Sequence, residues 1–124
     1  MRLQRLDHVS LNVGDRARAI AWYRDVLGLE QRGEQQADDW PVFMGEFGAC
    51  IALFQAQERS PERRPESTGL RHAALMLRGD DFADAKERLR ELQVPFDEED
   101  HGNAYSAYVR DPDGNVIELT TYER

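Results

Sequence analysis

The sequence predicts an α+β fold of two βαβββ modules whose strands form a curved mixed sheet around a cavity. Three observations lead there. The chain has 124 residues, the length of one domain. It repeats itself: His8-Val-Ser-Leu-Asn-Val13 lines up with His72-Ala-Ala-Leu-Met-Leu77 at an offset of 64, and the stretch ending at Leu53 lines up with the one ending at Leu119 at an offset of 66. Each repeat also passes through strand and helix periodicities in the same order. A half of about 55 residues buries too little surface to stand alone. The expectation is therefore a single domain, with module 1 at about 1–56, a linker at about 57–69 and module 2 at about 70–124.

The elements follow in order. In the first strand, 8–13, Val9, Leu11 and Val13 form the face that packs under a helix, and His8, Ser10 and Asn12 form the other. A helix over 17–27 is marked by Ile20, Tyr23 and Leu27 and ended by Gly28-Leu29. Strands are expected at 29–35, 40–45 and 49–55. The segment from Glu58 to Glu66 mixes both charge signs with two prolines and reads as a solvated connector. In module 2 the strand at 72–77 sets Ala73, Leu75 and Leu77 opposite His72, Ala74 and Met76. A helix over 82–92 carries Phe82, Ala85, Leu89 and Leu92 and stops at Val94-Pro95. Strands at 96–99, 105–110 and 115–122 complete it, the last entered through an Asp111-Pro-Asp-Gly114 turn.

Composition removes several function classes. Sixteen Lys and Arg against twenty-four Asp and Glu leave a formal charge of −8, which repels phosphate backbones, and no basic stripe offsets it. Nucleic acid is not an expected partner. No apolar run approaches the ~20 residues that span a bilayer, and residues 1–8 lack the apolar core of a secretory leader. The expected place is the cytoplasm, away from membranes. The single cysteine, Cys50, excludes an intrachain disulfide framework and a cysteine zinc site, and reads as a packed thiol. Serine-hydrolase elbows and nucleotide-binding glycine loops are missing. Trp40, Phe43, Phe47 and Phe54 read first as core residues and second as aromatic walls of a ligand crevice.

What remains is a constellation. His8, His72 and Glu118 fall on the non-core faces of three strands, and Tyr108 shares a face with Ser106. One strand histidine is ordinarily structural. Two at equivalent repeat positions, joined by the only Glu inside the last strand's pattern, point to a shared role. Two histidines and one carboxylate form the facial triad suited to Fe(II) and compatible with Mn(II), with Zn or Ni admissible. Its open positions would admit a small substrate through two oxygens.

The chain resembles the vicinal oxygen chelate superfamily of glyoxalase I, extradiol ring-cleaving dioxygenases, fosfomycin-resistance enzymes and bleomycin-binding proteins. The resemblance rests on Asp7-His-Val-Ser-Leu-Asn-Val13, Ala21-Trp-Tyr-Arg-Asp-Val-Leu-Gly-Leu29, Arg71-His-Ala-Ala-Leu75 and Asp111-Pro-Asp-Gly-Asn-Val-Ile-Glu-Leu119. It implies divalent-metal ligands at His8, His72 and Glu118, and a homodimer. Glyoxalase I carries a fourth ligand, a Glu near the end of its first module, where the internal offset of 66 places Ala52. A methyl group binds no metal, so that reaction is demoted. Extradiol dioxygenases resemble this chain in a Tyr at the position of Tyr108. Their catalytic histidine is approached by His101, seven residues before Tyr108 but out of register with theirs. Glu98, Glu99 and Asp100 beside it favour its charged form, suiting proton delivery. Fosfomycin-type enzymes would use Ser10 and Tyr108 but need a cationic pocket; Arg110 is the nearest candidate, Arg71 takes the opposite face, and 96–103 is strongly acidic. The leading expectation is an extradiol-type dioxygenase using Tyr108 and His101. The alternatives are a glyoxalase-like lyase or fosfomycin-type transferase, and a drug-binding protein without catalysis.

Overall fold

The structure, a computed structural model, describes residues 1–35, 37–58 and 64–123. The chain divides into two compact units, Met1–Ser60 and Pro61–Arg124. Each is built from one mixed sheet and one helix, so the α+β class and the two-sheet, two-helix content are as expected.

In the first unit, β1 (Val9–Val13) leads to α1 (Arg16–Asp25), then β2 (Val42–Glu46) and β3 (Ala49–Gln55). The sheet order is β1-β3-β2, with β1 parallel and β2 antiparallel to β3. Alternation buries Leu11 and Val13 and leaves Ser10 and Asn12 exposed. Asp15 caps α1 by accepting from Arg18 N–H at 3.1 Å, and Ala19 and Tyr23, both fully buried, face β2 and β3.

In the second unit, β4 (Ala73–Met76) leads to α2 (Gly79–Glu91), β5 (Asp97–Asp100), β6 (Tyr105–Arg110) and β7 (Val116–Thr121). The order is β4-β7-β6-β5, with β4 parallel to β7 and the other pairs antiparallel. Ala73, Ala107, Val109, Ile117 and Leu119 join Phe82 and Leu89 of α2 in its core.

The repeat is written into the strand register. Val9 pairs Ile51 as Ala73 pairs Ile117, and Phe43 pairs Ala52 as Tyr108 pairs Glu118. Asp111 builds the turn before β7: its buried carboxylate accepts from Asp113 N–H, Asn115 N–H and the Asn115 side-chain amide, and Gly114 takes a positive φ of 81°.

Three expectations need correction. The strand at 29–35 is reduced to one bridge, Gln31 to Met44. Gly28 and Gly33 both hold positive φ around it, and between them only Leu29 is apolar, so the segment has no alternating apolar face to bury. Helix α2 begins three residues before the first apolar position, because Asp80 and Asp81 form its first turn and Glu123 accepts from Gly79 N–H at 2.8 Å. Trp40 and Phe47 are 54% and 59% exposed and belong to no core. Phe47 lies between two guanidiniums, Arg5 at 5.3 Å and Arg32 at 4.3 Å from its ring centre. Cys50 is buried as expected, and burial pushes its thiol above the ordinary value. Part of the connector, 59–63, lies outside the described residues. No helix among the described residues is long and apolar enough to cross a membrane.

Candidate functional site

His72, Glu118, Tyr108 and His101 come together in the second unit. His72 immediately precedes β4, and β4 runs parallel to β7 with Ala74 paired to Glu118. The imidazole meets the carboxylate, Nε2 to Oε2 at 2.9 Å. Tyr108 is the antiparallel partner of Glu118, and its ring packs edge-on to the His72 ring at 5.8 Å between centres. His101 opens the loop after β5, which Ala104 O closes by accepting from His101 N–H at 2.9 Å. That loop returns the imidazole over β6, where His101 Nε2 lies 3.0 Å from the Tyr108 hydroxyl. Glu99 Oε2 stands 3.5 Å from the same nitrogen. The solvated loop around His101 is thus only part of its surroundings: the side chain is 40% exposed and engaged with the site.

Burial raises the Tyr108 phenol above its usual value, and the nearby Glu118 and Glu99 carboxylates raise it further. The hydroxyl therefore keeps its proton across the neutral range and is a hydrogen-bond donor there. Glu118 is itself buried, 9% exposed. Its second oxygen, Oε1, accepts from Ser106 Oγ at 2.6 Å, and Ser106 Oγ lies 3.0 Å from Thr120 Oγ1. Sequence reasoning assigned neither hydroxyl a part in the site. The cue was available in alternation and register, since Ser106, Tyr108, Glu118 and Thr120 all fall on one face.

His8 belongs to the first unit, one residue before β1, as His72 precedes β4. Its ring meets Phe43 edge-on at 5.3 Å, the repeat's counterpart of the His72–Tyr108 contact. The Nδ1 nitrogen lies 2.7 Å from Asp7 Oδ2. This contact holds the Asp7 carboxyl below the usual carboxylate range. A carboxylate can only accept, so Nδ1 carries a hydrogen, and in the neutral imidazole Nε2 then keeps its lone pair, the arrangement typical of metal-binding histidines. At the position matching Glu118 stands Ala52, fully buried.

The donor set suits a divalent ion. Two lone pairs cannot face each other at 2.9 Å without a proton or a cation between them, so His72 and Glu118 already converge on one point. Ligand atoms about 2.1 Å from a shared ion and at right angles to each other lie about 3 Å apart, close to this spacing. Among the described residues no three His, Cys, Asp or Glu side chains are gathered as one metal-holding group.

Comparison with known proteins agrees with this architecture. The family model described as the Glyoxalase/Bleomycin resistance protein/Dioxygenase superfamily matches residues 5–119. The chain is 26% identical over 117 residues to "Glutathione transferase FosA" of Serratia marcescens, covering 94% of this chain and 80% of that protein. It is 35% identical over 121 residues to "Biphenyl-2,3-diol 1,2-dioxygenase 3" of Rhodococcus globerulus, covering 93% of this chain but only 62% of that protein's length. Among solved structures, a lactoylglutathione lyase from Agrobacterium tumefaciens superposes with a TM-score of 0.72 at 25% identity, covering 98% of this chain and 96% of that one. A domain from Frankia sp. EAN1pec shares the fold with a TM-score of 0.81 at 22% identity, covering 99% and 95% of the two chains. With a family model matched along nearly its whole length, a repeat expressed in strand register and the same fold in solved relatives, the chain belongs to the glyoxalase/bleomycin resistance protein/dioxygenase superfamily.

Proposed function

We propose that the protein is a metal-dependent enzyme that takes a small substrate through two neighbouring oxygens, and that its reaction is extradiol ring cleavage of a catechol. The observation that carries the reading is the 3.0 Å contact between His101 and Tyr108 beside the His72–Glu118 pair. A proton-handling pair next to a ligand pair is what catechol chemistry requires, because binding deprotonates the substrate and ring opening needs a proton returned.

His8, His72 and Glu118 are the proposed ligands, Asp7 accepting from His8 Nδ1 and leaving Nε2 for the ion. A divalent ion, Fe(II) or Mn(II) for this donor set, would supply Lewis acidity and, as iron, access to O2. The remaining chemistry falls to the chain. Tyr108, its phenol held protonated, donates to a substrate oxygen. His101, partly exposed, exchanges protons with solvent and passes them through the Tyr108 hydroxyl. Asp97, Glu98, Glu99 and Asp100 are all exposed along β5, so the approach past His101 suits a neutral catechol and repels a phosphonate dianion. Ala52 in place of a fourth carboxylate speaks for three protein ligands and against the glyoxalase reaction. The relative named as a biphenyl-2,3-diol dioxygenase supports the same reading.

Protein loaded with Fe(II) under argon and then offered oxygen and a panel of catechols should consume O2 and form a coloured ring-opened product. No uptake with any catechol, together with addition of glutathione to an epoxide by the Mn(II)-loaded protein, would overturn the dioxygenase reading in favour of thiol transfer.

A further inference from the structure

Glu118 is a buried carboxylate, and each of its oxygens needs a partner to offset the water it has lost. Oε2 faces His72. Oε1 has Ser106, 1% exposed, whose hydroxyl approaches to 2.6 Å, the short distance of a charge-assisted hydrogen bond. Ser106 has one hydrogen. That hydrogen goes to the carboxylate, and the Thr120 hydroxyl, 3.0 Å from Ser106 Oγ and 3.3 Å from the Tyr105 carbonyl oxygen, has one hydrogen for those two acceptors. Two hydroxyls thus stand behind Glu118, Ser106 donating to its Oε1 and Thr120 lying against Ser106.

The internal repeat supplies a control. By the offsets that relate the two units, the counterparts of Ser106, Glu118 and Thr120 are Pro41, Ala52 and Phe54. The unit without the carboxylate has no side-chain hydroxyl at either position. The hydroxyls therefore accompany Glu118, and the βαβββ architecture does not require them.

We propose that Ser106, with Thr120 behind it, is a positioning residue for Glu118: it holds Oε1 so that Oε2 stays turned toward His72 and the ion they would share. The inference rests on the reading of His72 and Glu118 as metal ligands. It predicts that metal affinity depends on a serine that touches no metal. Outer-shell partners of this kind are worth about 10–100-fold in affinity.

The test is a titration of the full-length protein with Mn(II), free Mn(II) being read by electron paramagnetic resonance, alongside thermal melts. Ser106→Ala should raise the Kd about 10–100-fold, and Ser106→Thr, which restores the hydroxyl, should recover most of it. Thr120→Val should weaken binding less than Ser106→Ala does. A folded Ser106→Ala that binds Mn(II) like the parent overturns the inference and leaves the metal reading intact. So does a folded Ser106→Thr as weak as Ser106→Ala, since packing alone would then explain the loss. If Ser106→Ala melts below the assay temperature, Thr120→Val decides: weaker binding supports the inference and parental binding overturns it. A parent protein that takes up no Mn(II) overturns the metal reading, and the inference falls with it.

Discussion

Tyr108 lies between the ligand pair and His101, touching the His72 ring on one side and the His101 nitrogen on the other. Replacing it with phenylalanine keeps the edge-on ring contact and removes only the hydroxyl. In the proposed reaction Tyr108→Phe should lower kcat about 10²–10⁴-fold, the range for loss of a positioned proton-transfer group, with bound metal unchanged. Oxygen uptake together with elemental analysis measures both. A variant that loses its metal instead would make the phenol a structural support. Alternation alone was enough to set His72 and Glu118 each on the non-core face of its own strand, and to set Tyr108 with Ser106; the β4–β7 pairing joins the two. His101 was harder: its spacing from Tyr108 is out of register with the enzymes it resembles, and the contact depends on a loop closed at Ala104.

At the scale of elements, the β2–β3 hairpin is the most tightly specified turn. Gly45 holds a φ of 100°, and a Cβ added there would overlap the Ala49 carbonyl oxygen across the hairpin. Gly45→Ala should cost about 1–3 kcal/mol through backbone strain and forced displacement of that carbonyl. Gly28, also at positive φ but with open space around it, should cost only about 1 kcal/mol when changed to alanine. Urea melts of the two variants make the comparison, and equal losses would show that the carbonyl contact contributes nothing. The strands 49–55 and 105–110 were legible to the residue. The segment 29–35 was not, because its backbone lies along β2 through two hydrogen bonds, Arg32 N–H to Phe43 O and Gly45 N–H to Glu30 O, and then turns away at Gly33. The start of α2 was missed because Glu123, distant in sequence, caps it.

At the scale of the whole molecule, the chain is one motif written twice with different chemistry in each copy. His8 and Phe43 repeat the pose of His72 and Tyr108, but Ala52 and Pro41 replace the carboxylate and its hydroxyl partner. Restoring the acid by Ala52→Glu would therefore put a charge into a fully buried position that lacks counterparts of the two hydroxyls behind Glu118. It should destabilise the protein by at least about 3 kcal/mol, measured by chemical denaturation. An unchanged midpoint would mean that the first unit can house a carboxylate as the second does.

The sequence by itself determined the class of fold, the order of its elements, the offsets that relate its halves and the faces on which His8, His72, Glu118 and Tyr108 lie. These follow from the period of 2 in a strand and 3.6 in a helix, properties that each segment carries locally. Tertiary structure alone decided that Ser106 and Thr120 stand behind Glu118, that His101 reaches Tyr108, and that Trp40 and Phe47 stay in solvent. Each of these depends on which strands pair, in what register, and how the loops between them close, and hydrogen bonds only a few ångströms long between residues distant in the chain exist only once that pairing is made.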